Sequence, residues 1–139
     1  VADRRFDDAQ VLRETGLNAR ANGAIYMGGF AIECLLKAML LDKYKWLEDS
    51  RYPERRSATE QRMWWLCHRS HDLEAILSYL PEVRQKLSCG EQRGAPRLSQ
   101  SLKSVCSWTI FARYSPAAAD MNDARIFLDQ IRELKSWLR

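Results

Sequence analysis

The chain has 139 residues, 46% hydrophobic and 29% charged, which suits one globular domain with its own core and excludes a low-complexity or disordered chain. A net charge of +4 and a pI near 9.0 admit an acidic partner such as RNA or a nucleotide without requiring one. Four cysteines, Cys34, Cys67, Cys89 and Cys106, form no C-x-x-C pair, so they read as reduced thiols of a cytoplasmic protein.

Val1-Ala-Asp-Arg-Arg is followed by no apolar run, so no signal peptide is expected. Residues 2 to 16 read as a helix, with Asp3 as N-cap or first-turn acid, Phe6, Ala9 and Leu12 on one face, and Gly16 at its end. Asn18 is placed to cap a second, central helix that runs to about Trp46. From Ala24 to Leu41 its only charges are Glu33 and Lys37, four apart with the acid first, the favourable order for a pair on one helix face. Ile25, Gly28, Ile32, Leu35, Leu36 and Met39 point one way; Tyr26, Gly29, Phe30, Glu33 and Lys37 form the adjoining stripe. Such a helix belongs at the centre of a bundle. A membrane span is the rival, opposed by the two central charges and by the lack of a second comparably apolar stretch. Gly28 and Gly29 each cost about 1 kcal/mol in a helix interior, which implies close approach of a neighbouring helix, a ligand or a partner subunit.

Leu47 to Ser70 reads as a long loop, rich in arginine (Arg51, Arg55, Arg56, Arg62, Arg69), broken by Pro53, with a short helix from Glu60 to Leu66 that ends near Trp64 and Trp65. Ser70 looks like the N-cap of a helix over 71–80, and Pro81 starts a short turn through Leu87. Cys89 to Pro96, with two glycines, reads as a loop. A helix follows from Leu98 to near Ala112, then Ser115-Pro116 opens the last helix, whose inner face is Met121, Ala124, Leu128, Ile131 and Leu138. No stretch alternates with period two. The fold class is therefore all-α: one domain over 1–139, an up-and-down bundle of four to five helices with a long loop after the second helix.

The run Tyr26-Met-Gly-Gly-Phe-Ala-Ile-Glu33-Cys-Leu-Leu-Lys37-Ala resembles the helix signature of the HEPN family (higher eukaryote and prokaryote nucleotide-binding domains). His71-Asp72-Leu73 and Arg113-Tyr114-Ser-Pro116 resemble two further pieces, so the likeness spans about Phe6 to Leu138. The resemblance implies a helical bundle, commonly a homodimer, often encoded beside a minimal nucleotidyltransferase in a toxin–antitoxin-like pair. Catalytic members carry an arginine and, four to six residues later, a histidine near the start of the last helix. Here Arg113 is followed by Tyr-Ser-Pro-Ala-Ala-Ala-Asp, with no histidine, so that nuclease motif is missing.

The chain lacks a phosphate-binding G-x-x-x-x-G-K loop, a G-x-S-x-G elbow and H-E-x-x-H, and no cofactor is expected. Cys67-His68-x-x-His71 offers three possible metal ligands, short of a closed zinc set, so no metal is expected either. Arg62 and His68 have nuclease-like spacing and are the catalytic candidates, if any exist. For ligand binding the candidates are Tyr26, Glu33, Lys37, His71, Arg113 and Tyr114, with the loop arginines holding phosphates and Tyr26, Trp64 or Trp65 stacking on bases. Against this, the arginines make a solvated face, the tryptophans close the bundle's end, and Glu33–Lys37 is an ion pair that fixes packing or a dimer seam. Three functions follow: a non-catalytic nucleotide- or RNA-binding module, a metal-independent ribonuclease with a nonstandard site, or a structural interaction protein.

Overall fold

A computed structural model of the chain describes residues 1–94, 97–114 and 119–139, with residues 108–114 described by backbone alone. Helix α1 (Ala2–Glu14) buries Phe6 and Ala9 and ends where Gly16, at φ +66°, supplies the left-handed residue that closes a helix. A short 3-10 turn over Asn18–Arg20 leads into α2 (Ala21–Lys43), which is 23 residues long and is wrapped by α1 and by helices from the rest of the chain. It is the one segment among the described residues long and apolar enough to cross a membrane, and half of it is buried inside the bundle.

The structure corrects Asn18 as the cap of this helix. Its side-chain Oδ1 accepts instead from the backbone N–H of Met121, 2.9 Å away, while Asn22 Oδ1 accepts from Ala119 N–H at 3.3 Å. Both asparagines thus hold the chain just before the last helix. α2 also stops at Lys43 rather than Trp46, because Tyr44 turns out of the helical conformation and the chain re-forms a 3-10 turn over Lys45–Glu48 that buries Leu47.

The stretch after α2 holds more helix than its composition suggests. Ser57 accepts from Glu60 N–H and Glu60 accepts in return from Ser57 N–H, a reciprocal cap that starts α3 (Ala58–His68). Asp72, not Ser70, caps the five-residue α4 (Leu73–Leu77), shorter than the expected 71–80. α5 (Pro81–Gln92) runs straight through the expected loop at Cys89-Gly90. There a Cβ on residue 90 would stand 2.8 Å from Leu98 Cδ1 and 3.0 Å from Trp137, so glycine serves close packing inside a helix. α6 (Leu98–Tyr114) continues two residues past the expected end. α7 (Met121–Leu138) begins with Asp120 and Asp123 in a second reciprocal cap; Ser115 and Pro116 lie outside the described residues.

Seven α-helices and no strand are therefore present among the described residues, an all-α bundle with α2 at its centre against α1, α4, α6 and α7. Ile25, Ile32, Leu36 and Leu40 of α2 meet Leu73, Ile76, Leu128 and Ile131 in the core. α7 crosses α2 at Gly28, where a Cβ would fall 2.6 Å from Leu128 Cδ2. A neighbouring helix accounts for that glycine.

Candidate ligand-binding site

Tyr26, Phe30, Glu33 and Lys37 stand four, three and four residues apart, so α2 lines them up on one stripe. At one end the stripe is aromatic. Tyr26 is 37% exposed, and its ring lies nearly parallel to that of Phe30 with centroids 6.4 Å apart. The Arg5 guanidinium of α1 sits over the Phe30 ring at 5.6 Å and is itself held by Asp8 at 3.0 Å.

At the other end the stripe is ionic. Glu33 is only 3% exposed and receives two partners on one oxygen: Lys37 Nζ at 2.9 Å and His71 Nδ1 at 2.7 Å. A buried carboxylate is tolerated only when it is paired and hydrogen-bonded, and here both conditions hold. Lys37 Nζ also donates to the carbonyl of Ser70 at 2.6 Å. That carbonyl is available because α3 ends at His68 and α4 begins at Leu73, leaving residues 69–72 outside both helices. Ser70 N–H donates back to Trp65 O, and Ser70 Oγ accepts from Asp72 N–H. His71 is therefore pinned between two capped helix ends.

The hydrogen-bond roles follow from the chemistry. A carboxylate only accepts, so His71 carries a proton on Nδ1 and keeps Nε2 for other partners. Lys37 has three N–H donors and spends two. The ammonium and the imidazole, whose side chain is 43% exposed, are neighbours because Lys37 Nζ and His71 Nδ1 hold the same Glu33 oxygen. The arrangement can grip an anion, and the carboxylate-backed imidazole can move a proton.

Of the residues singled out in the sequence, the structure brings Tyr26, Glu33, Lys37 and His71 onto this stripe. Arg113 and Tyr114 are the last two residues of α6; their side chains lie outside the described residues. Arg62 and His68 are not brought together. They are six residues apart on α3, about 120° apart around a helix. His68 Nε2 donates to Leu47 O at 2.8 Å and its ring lies on Trp64 at 4.7 Å, while Arg62 faces solvent. Cys67 is buried, and burial pushes its thiol upward. Among the described residues no three histidine, cysteine or acidic groups surround a common point.

Two participants have no signal in the sequence. The Ser70 carbonyl is a backbone group, and Arg5 reaches Phe30 through helix packing that only the fold determines. No family model, curated protein or solved structure matches the chain.

Proposed function

We propose that the chain is a non-catalytic, HEPN-like module that binds a nucleotide or RNA along the Tyr26–Lys37 stripe. The observation that carries this reading is the Glu33–Lys37–His71 cluster. It sets a partly buried ammonium beside a half-exposed imidazole at one end of a stripe whose other end is an exposed tyrosine ring. A phosphate takes the ionic end and a base stacks on the aromatic end. From Tyr26 to Lys37 the helix rises roughly 16 Å, long enough for more than one nucleotide unit.

The module acts as a homodimer in this reading. Support comes from the apolar surface α2 leaves uncovered. Beside Lys37, a groove of about 590 Å³ is lined by Cys34, Leu35, Ala38 and Leu41, together with residues at the two ends of the chain. A minimal nucleotidyltransferase is the proposed protein partner, on the resemblance of the α2 residues alone. Its test is co-purification of such an enzyme with the tagged chain.

One observation favours a second reading, a metal-independent ribonuclease. A histidine whose Nδ1 is held by a buried carboxylate can use Nε2 to take a proton from an attacking ribose hydroxyl, with Lys37 beside it for the developing charge. The experiment that separates the two is fluorescence anisotropy of labelled single-stranded RNA in chelator, followed by gel analysis of the RNA. Binding with intact RNA, weakened roughly five-fold or more in Tyr26→Ala, fits the first reading. Cleavage that is lost in His71→Ala fits the second. Neither binding nor cleavage would leave a structural interaction protein.

A further inference from the structure

The arginine-rich stretch after α2 closes a second pocket that the Tyr26–Lys37 stripe does not use. We infer that this pocket, of about 380 Å³ between Trp46, Asp49, residues 51–56 and Trp64, binds a nucleoside monophosphate, as the free molecule or as one unit of a single strand. Its volume falls within the range of small-molecule sites.

The pocket is held open by struts rather than by loop chance. Trp64 Nε1 donates to the Asp49 carbonyl at 3.0 Å. Gln61 Nε2 donates to the carbonyls of Glu54 and Arg56 at 3.1 and 3.0 Å, while Gln61 Oε1 accepts from the Tyr52 hydroxyl at 3.0 Å. One glutamine of α3 therefore fixes three points of the loop. Little ordering is left to be done on binding, which favours affinity.

The lining chemistry selects the ligand. The Arg56 guanidinium lies 4.3 Å over the Trp46 ring and is steadied by Glu60 at 2.7 Å, so its plane is already set as a stacking surface. Tyr52, half exposed, stands edge-on to Trp64 at 5.3 Å. Asp49 is consumed by Arg51, through the guanidinium and the backbone N–H, and adds no free negative charge. Among the described residues Arg55 has no acidic partner and is exposed, and Glu54 is the one carboxylate of the lining that makes no ion pair. The flat rings and the Arg56 plane suit a planar base, and the unpaired Arg55 guanidinium suits the phosphate it carries. A proline-rich peptide would use the rings and leave the guanidiniums idle. A simple phosphate would do the reverse.

This inference adds a contact point to the function proposed above, and the two fail separately. α3 joins the sites: Trp64 and Ser70 are six residues apart, at most about 14 Å between Cα atoms, so one strand reaches both. The test is titration of the chain with adenosine 5′-monophosphate and uridine 5′-monophosphate, followed by the indole N–H resonances of Trp46 and Trp64. The expected result is saturable shifts of both indoles, with affinity reduced ten-fold or more in Tyr52→Ala and in Arg56→Ala while helical circular dichroism is unchanged. Ribose 5-phosphate should bind at least ten-fold more weakly. Unmoved indoles, equal affinity for ribose 5-phosphate, or displacement of the nucleotide by a proline-rich peptide would each overturn it. So would binding lost in Tyr26→Ala but kept in Tyr52→Ala, which would put the base on α2.

Discussion

A single methyl group at residue 28 would meet Leu128 Cδ2 at 2.6 Å and Phe127 Cε1 at 3.4 Å, both on side chains buried to within 2%. Overpacking of a dense core costs about 1–3 kcal/mol, while Gly→Ala returns about 1 kcal/mol of helix propensity. Gly28→Ala is therefore expected to lose up to about 2 kcal/mol net, read as a lower urea midpoint; a raised midpoint would show that Leu128 moves aside freely. A second residue-level expectation concerns acid. The Arg51 side chain, then its backbone N–H, hold the Asp49 carboxyl at about 2 against an ordinary 3.8. A depressed carboxylate supports the folded loop above pH 3.8 and loses that support as pH falls toward 2. Carbon-detected titration should show Asp49 ionised at about pH 3, and a normal carboxylate midpoint would mean that Arg51 does not hold it in solution.

At the scale of elements, α2 and α7 are readable from sequence because their patterns are long and periodic. α7 buries every residue of its expected inner face. α2 buries Ile25, Gly28, Ile32 and Leu36 as expected, but leaves Leu35 and Met39 only partly covered and adds Ala21, Ala24, Ala31 and Leu40, because several helices surround it. Helix periodicity alone also puts Tyr26, Glu33 and Lys37 on one stripe. It does not show that His71, 38 residues beyond Glu33, closes on the same oxygen, which depends on how α3 and α4 meet. α3 is longer than its sequence suggests because arginines and Pro53 mask the Ser57-x-x-Glu60 cap. α5 outruns its expected end because Gly90 reads as a turn residue when only its chain neighbours are visible, whereas its reason lies in Leu98 and Trp137. Amide exchange is the check: residues 58–68 should exchange as slowly as α5, and residues 49–56 faster, with a nucleotide slowing the latter. Fast exchange across 58–68 would dissolve α3 as a strut. Asn18→Ala removes the acceptor for Met121 N–H and should cost about 1 kcal/mol, seen as a lower thermal midpoint. No change would mean that water replaces the asparagine without loss.

For the whole molecule, the bundle buries α2 on three sides and leaves a strip from Tyr26 to Leu41 half covered. In the proposed function that strip does two jobs: its ionic and aromatic stripe receives the nucleic acid, and the apolar groove beside Lys37 receives a second copy. An isologous contact would place two stripes on one dimer. Light scattering at micromolar concentration should give twice the 16.2 kDa of one chain, and a monomer at that concentration would contradict the dimer. Nucleic-acid binding is tested most directly by photo-crosslinking. Single-stranded RNA carrying 4-thiouridine is irradiated with the protein in chelator, and the crosslinked residues are mapped by mass spectrometry. The expected result is crosslinks on α2 at Tyr26 or Phe30, lost when Lys37 is changed to glutamine, with the RNA recovered at full length. Crosslinks confined to α5 and the exposed face of α6, or none at all, would contradict it.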